Sequence, residues 1–333
     1  MTVGEHMKAI VHHEYGSPDV LKLEEVEKPE PKDGEILVKV YAAALNPVDW
    51  HFVRGKPFPI RMTTGGLKRP TRARRVGADF SGIVEALGPK AGGFEVGDAV
   101  SGMGAGSVAE YLIVTPKDVV ARKPDKLTHT QAAGVPLAGL TALQALRDKG
   151  AVQAGANVLI VGAAGGVGTF AVQIAKALGA DVTGVQSTAG IDLVRSLGAD
   201  HVVDYTKEDF TRGDARFDVI FDNVSNRPLA EVLRVLKPGG TLIPNGGGSP
   251  QKGVSVVGIA RMLAMRPFIS HKIRLFVVKP SRDDLQTLAE WIDAGKVTPV
   301  VGRSYPFDAA ADALRHLESG HAHGKVVVTV VPD

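Results

Sequence analysis

The stretch VLIVGAAGGVGTFAVQIAKALGA, Val158 to Ala180, constrains the fold more than any other part of the chain. The apolar run Val158–Val161 reads as a buried strand, and it passes through a glycine-rich turn directly into a helical pattern. Gly162 permits the tight turn. Gly165 and Gly166 let a pyrophosphate approach the backbone, and Gly168 lets the helix pack closely on the strand. Ala164 and Val167 complete the turn. The helix N-terminus adds unpaired N–H groups and the positive end of a dipole. Glycine spacing alone is a weak signal. The strand before it, the helix after it and the second strand DVTGV make it a dinucleotide-binding signature. No GK[ST] follows, which excludes a Walker-type loop.

The end of the second strand addresses the ribose. A carboxylate there would bind the adenine ribose hydroxyls of NAD and repel a 2′-phosphate. About twenty residues beyond Gly166 the chain instead reads Gln186-Ser187-Thr188, with no lysine or arginine in the loop. Ser187 and Thr188 can donate to a phosphate, so NADP(H) is favoured, with NAD(H) as second choice. Asp192 is read as a helix-surface acid.

Around this unit the pattern alternates. Strand-like NVLIVG, DVTGVQS, DHVVDY, FDVIFDNV and TLIPNGGG are separated by the helical stretches GGVGTFAVQIAKALG, IDLVRSLGA and RPLAEVLRVLKPGG, with Gly179, Gly198 and Gly239 as helix stops. Such alternation implies a parallel sheet covered on both faces. The first 126 residues differ. They are strand-like runs bounded by turn signals, a mainly antiparallel β unit. THTQAAGVPLAGLTALQALRDKG reads as two helical pieces parted at Pro136. SRDDLQTLAEWIDAGK is a helix with Ser281 as N-cap, and GKVVVTVV is a closing strand.

The chain has 333 residues, no cysteine and a net charge of +3. That excludes disulfides, thiolate metal ligands and cysteine nucleophiles. The few aromatics are not interleaved with bases, so nucleic acid is not an expected partner. No apolar run reaches membrane-spanning length, so no membrane partner is expected, and a cytoplasmic address is the default. KRPTRARR, Lys68–Arg75, reads as a solvated loop, with an anion-facing loop as the lesser reading. The pairs His12/His13 and His321/His323 read as surface.

GAAGGVGTFAVQIAKALGA, GADFSGIVEALG, GDAVSG…GSVAEYLIV and NPVDWHFVRG together resemble the medium-chain dehydrogenase/reductase superfamily, and within it the zinc-free quinone oxidoreductase and zeta-crystallin branch. The resemblance runs from about Met7 to Val331. It implies an α/β fold: a GroES-like, mainly antiparallel β catalytic domain over residues 1–126 and 277–333, and a Rossmann doubly wound parallel-sheet cofactor domain over 127–276. It also implies a homodimer. Zinc-dependent relatives have a Gly-His-Glu motif where this chain reads Gly77-Ala78-Asp79, so no zinc is expected. Without a Lewis acid, hydride transfer to a quinone or an α,β-unsaturated carbonyl is easier to account for than alcohol oxidation. A zinc-free carbonyl reductase or alcohol dehydrogenase, with Asp49, His51 or Tyr41 as nominal proton donor, and a cofactor-binding protein without turnover are the alternatives.

The resemblance places Asn46 at the nicotinamide end of the cleft, as a cofactor or substrate-oxygen contact. It places Asp49 where an acid stands near a former metal site. A helix-capping role, or an ion pair with Arg54, is an equal reading of Asp49. Trp50 and His51 are pocket wall. Thr141 lies near the nicotinamide or packs its helix, and Tyr205 lies by the adenosine. Asn245, Gly246, Gly247, Phe276 and Val278 flank the nicotinamide. Lys325 reaches a phosphate or is a turn lysine. Met262, Leu263, Met265 and Phe268 are read as core or dimer contact before a substrate lid.

Overall fold

The computed structural model describes residues 5–63, 66–70, 74–246, 248–249, 253–254 and 270–332. Gly247, Met262, Leu263, Met265 and Phe268 lie outside the described residues, as does part of the Lys68–Arg75 run.

The chain forms two compact units. One takes Met1–Leu140, Pro280–Asp293 and Pro299–Asp333, the other Thr141–Lys279 and Ala294–Thr298. The short helix His129–Ala133 belongs to the first unit, and the boundary after Leu140 falls inside the next helix, Pro136–Leu143. His129 stacks on Tyr41 at 4.5 Å between ring centroids, and its Nδ1 lies 2.8 Å from Ser81 Oγ.

The first unit is built on a seven-stranded, mainly antiparallel sheet. Its central strand Ile36–Leu45 pairs with Asp79–Leu87, Tyr111–Val114 and Lys325–Thr329. The last of these is the expected closing strand, and Val301–Pro306 lies parallel to it at the edge. A three-stranded sheet joins His6–His12 with Lys22–Glu27 and the short strand Arg74–Arg75. Alternating apolar side chains of Ile36, Val38, Val40, Phe80, Val84 and Leu112 fill one core. Leu45, Trp50, Val53, Leu314 and Val326 fill another. Arg54 of the helix Pro47–Arg54 pairs with Glu318 through two bonds of 2.6 and 2.7 Å, and so is not the partner of Asp49. Two readings of this unit are corrected. His12 is 1% exposed, its Nδ1 held by Glu14 O. Arg74 and Arg75 are half-buried in a strand and not in a solvated loop, because Arg74 covers the Phe52 ring and Arg75 reaches Tyr111 O.

The second unit is a six-stranded sheet whose neighbouring strands all run parallel. Across it lie His201–Asp204, Asp181–Gln186, Asn157–Val161, Phe217–Asp222, Leu236–Pro244 and Lys272–Ile273. In chain order these are the third, second, first, fourth, fifth and sixth strands, the doubly wound arrangement of dinucleotide-binding folds. The order reverses between Asn157–Val161 and Phe217–Asp222, and the glycine-rich turn leaves the sheet there. The helix after Phe217–Asp222 is shorter than its pattern suggests, Leu229–Arg234. Gly239 is therefore no helix stop; with φ +75° it turns the chain inside the strand Leu236–Pro244. In the first unit, the helix Arg282–Asp293 is capped as expected, Asp284 N donating to Ser281 Oγ at 3.2 Å. Among the described residues no helix is long and apolar enough to cross a membrane.

Candidate functional site

In the second unit the glycine-rich turn closes on itself. Gly162, at φ +74°, donates to Val185 O on the neighbouring strand, as does Ala163. A Cβ at Gly168 would lie 2.1 Å from Gly162 O and 2.7 Å from Ala163 O, so only glycine lets the helix Gly166–Ala177 start this close to its strand. Gly165 has the opposite surroundings: a Cβ there would meet only Gly162 O, at 3.3 Å. The turn is packed shut behind Gly168 and open at Gly165. The first N–H groups of the helix have no partner within it. An open glycine turn at a helix N-terminus has the form that suits a pyrophosphate.

The loop after the second strand folds against the turn. Gln186 Oε1 accepts from Ala164 N at 3.3 Å. Thr188 is not a free donor: its hydroxyl donates to Asp204 Oδ2 at 2.6 Å. Asp204 Oδ1 accepts from Thr206 N and Oγ1. The hydroxyls of Thr188 and Thr206 hold the Asp204 carboxyl down at about 2. Sequence reasoning overlooked Asp204 because it ends the third strand, whereas the usual acid ends the second. Ser187 is half-buried and Tyr205 is 46% exposed. Asp192 lies on the helix surface near Arg195, as expected.

At the carboxyl ends of the fourth and fifth strands, Asn245 N donates to Asp222 O and its amide reaches Asn223 Oδ1 at 2.9 Å. A Cβ at Gly246 would meet Asn223 O at 2.5 Å, so the two loops touch backbone to backbone. Phe276 and Val278 are half-buried in a segment without regular secondary structure, and Thr141 is buried in the helix Pro136–Leu143.

In the first unit, Asn46, Asp49, Asp79 and Lys325 converge. Each is at most 4% exposed. Lys325 Nζ donates to Asn46 Oδ1 at 2.5 Å and stands 3.6 Å from Asp79 Oδ2. Asn46 Nδ2 donates to Asp79 Oδ2 at 2.9 Å, while Leu137 N donates to Asp79 Oδ1 at 3.1 Å. Lys325 is thus no turn lysine; it opens the closing strand and points into a buried cluster. Asp49 Oδ2 accepts from Asn46 N at 2.7 Å, the helix-capping arrangement. Burial, followed by the charge of Asp79, pushes the Asp49 carboxyl up to about 7 against the opposing bond from Asn46 N. Burial also raises Asp79 and lowers Lys325, while each is partly compensated by the other. Trp50 is 5% exposed in the core, with the His51 ring 3.6 Å away. His51 Nδ1 lies 2.7 Å from Lys56 O, and burial lowers the imidazole's pKa against that bond. Among the described residues no three His, Cys, Asp or Glu side chains group to hold a metal ion.

Two family models match the chain. Residues 32–125 match the alcohol dehydrogenase GroES-like domain, and residues 197–328 match the zinc-binding dehydrogenase family. Over 347 residues the chain is 36% identical to 2-methylene-furan-3-one reductase of Solanum lycopersicum, spanning 100% of this chain and 81% of that protein. The chain belongs to the medium-chain dehydrogenase/reductase superfamily. It is 37% identical to the chloroplastic NADPH-dependent alkenal/one oxidoreductase of Arabidopsis thaliana, covering 99% of this chain and 81% of the relative. The quinone oxidoreductase of Coxiella burnetii superposes with a TM-score of 0.85 at 30% identity, covering 98% and 100% of the two chains. The antiparallel and parallel units are therefore the GroES-like and Rossmann parts of an oxidoreductase.

Proposed function

We propose that the protein reduces a quinone or the C=C bond of an α,β-unsaturated carbonyl with NADPH and without a metal. The observation that carries the cofactor half is the turn at Gly162–Gly168, shut by backbone behind Gly168 and open at Gly165. The names of the relatives, a furanone reductase, an alkenal/one reductase and a quinone oxidoreductase, support the substrate class.

When bound, NADPH supplies a hydride. The chain's own residues bind and orient. The N–H groups of Gly166–Gly168, at the start of the helix, would hold the pyrophosphate, and Gln186 and Ser187 would not repel a 2′-phosphate because neither carries a charge. The Asn46–Asp79–Lys325 cluster fixes the start of the helix that carries Trp50 and His51. Negative charge develops on the conjugated oxygen of the substrate, where hydrogen-bond donors suffice and water can deliver the final proton.

The buried donor set of the first unit does not fit a catalytic zinc. Where zinc-dependent relatives have their histidine this chain has Ala78, and the Asp79 carboxylate is committed to Asn46, Leu137 and Lys325. Stoichiometric zinc in purified active protein refutes the metal-free reading. NADPH oxidation is measured against quinones, enones and saturated aldehydes. Turnover of the first two classes supports the proposal, and turnover of saturated aldehydes alone overturns it. We also propose a cytoplasmic homodimer, tested by sedimentation at working concentration and by imaging of a tagged chain.

A further inference from the structure

We propose that Lys207 sets the preference between the two nicotinamide dinucleotides, its ammonium binding the 2′-phosphate of the adenine ribose. This rests on the dinucleotide reading above. The loop Gln186–Gly190, where that phosphate would lie, contains no base. The fold brings one from the next strand.

Gln186 and Asp204 are directly opposite in parallel neighbouring strands, so the loops that follow them run side by side. Tyr205 N donates to Gln186 O at 3.1 Å, which fixes the two loop starts together. Thr188 and Lys207 then meet on one atom. Thr188 Oγ1 donates to Asp204 Oδ2 at 2.6 Å, and Lys207 Nζ stands 3.4 Å from that same oxygen. A base that is remote from the loop in sequence is thereby adjacent to it in space.

The two members of this ion pair differ in freedom. The Asp204 side chain is 8% exposed, and the threonines anchor both its oxygens; the Lys207 side chain is 70% exposed. An ion pair at such an exposed site holds an ammonium loosely. A phosphate carrying nearly two charges is a stronger partner for the ammonium, whose exposed stem is free to rotate away from the anchored Asp204 carboxylate. Asp204 acts meanwhile as the positioning residue: it holds Thr188, and with it the loop, beside the ammonium. The Ser187 hydroxyl, which has no hydrogen-bond partner among the described residues, supplies a neutral donor next to it. Several other bases of this unit pair elsewhere: Lys176 with Asp200, Lys237 with Asp218, Arg227 with Asp209, and Arg195, on the helix after the loop, with Asp192 at 3.6 Å.

The test uses full-length wild type, Lys207→Glu and Lys207→Arg. Calorimetric titration with 2′,5′-ADP and with 5′-AMP isolates the phosphate, and kcat/KM with NADPH and NADH follows. Lys207→Glu should weaken 2′,5′-ADP about tenfold or more while leaving 5′-AMP unchanged. The NADPH loss should appear in KM with kcat preserved, and raised salt should shrink the wild-type advantage. Lys207→Arg should retain the preference. An unchanged ratio of the two nucleotide affinities in Lys207→Glu, or an equal loss of both, overturns the assignment of Lys207 while leaving the dinucleotide reading intact. Wild type that binds neither nucleotide removes that reading and the proposal with it.

Discussion

Replacing Asp49 with Asn should remove a pH dependence that the folded protein carries in its first unit. Asp49 is buried, and its carboxyl is pushed up to about 7 from an ordinary 3.8. The folded state therefore holds this proton more tightly than the unfolded chain does. Between those two values the native state binds more protons, so stability falls as pH rises. The contribution is intact below the unfolded value and lost as pH climbs through 7. A displacement of about three units at about 1.4 kcal/mol each caps the total near 4 kcal/mol. Of this, about 2–3 kcal/mol is lost between pH 5 and pH 8. Asparagine keeps an oxygen to accept from Asn46 N and has no proton to lose. Urea unfolding at pH 5, 6, 7 and 8 should show the wild type losing stability relative to Asp49→Asn by that amount. Removing the Asp49 charge also lets Asp79 ionise more easily, which flattens the variant's own profile, so the measured difference is an upper bound on what Asp49 alone contributes. Parallel pH profiles for the two proteins would refute the assignment of a buried, proton-holding Asp49.

Other expectations follow from single contacts. Gly168→Ala forces a methyl to within 2.1 Å of Gly162 O, so dinucleotide affinity measured by NADPH fluorescence should fall tenfold or more, and tight binding by the variant would count against the turn as the cradle. Glu318→Gln leaves Arg54 with a weaker partner in a half-buried place and should cost about 1–3 kcal/mol, with a double-mutant cycle against Arg54→Ala showing clear coupling. Gln144 bonds both the N–H and the C=O of Lys279, at 2.9 and 2.8 Å; Gln144→Leu should cost about 1–3 kcal/mol in denaturant melts of the whole chain.

Much of this organisation was legible in the sequence, because the features concerned are local. The turn at Gly162–Gly168 is written in consecutive residues, and its strand and helix flank it directly. Ser281 is recognisable as a cap because its partner lies three residues on. The readings that failed depend on residues far apart in the chain. Lys325 resembles a turn lysine until strand pairing sets it beside Asn46, and Arg54 finds Glu318 only once the chain returns. Asp204 and Lys207 belong to Thr188 only through sheet register, and no spacing rule for the second strand points to the third. Gly239 shows a different failure: a glycine after a helical pattern also suits a bend within a strand, and propensity does not separate the two.

The strand Lys325–Thr329 lies against Ile36–Leu45, and Lys325 completes the cluster around Asn46. The first unit is thus split in the order of synthesis. A chain still on the ribosome has every residue of Thr141–Lys279 available, an almost contiguous Rossmann core, while its earlier-made half waits with Asp79 and Asn46 lacking their cation. Assembly of the dinucleotide cradle can therefore precede closure of the GroES-like unit. The strand Lys325–Thr329 is made long after the strand it pairs with, so Asn46 and Asp79 meet their cation only when it docks.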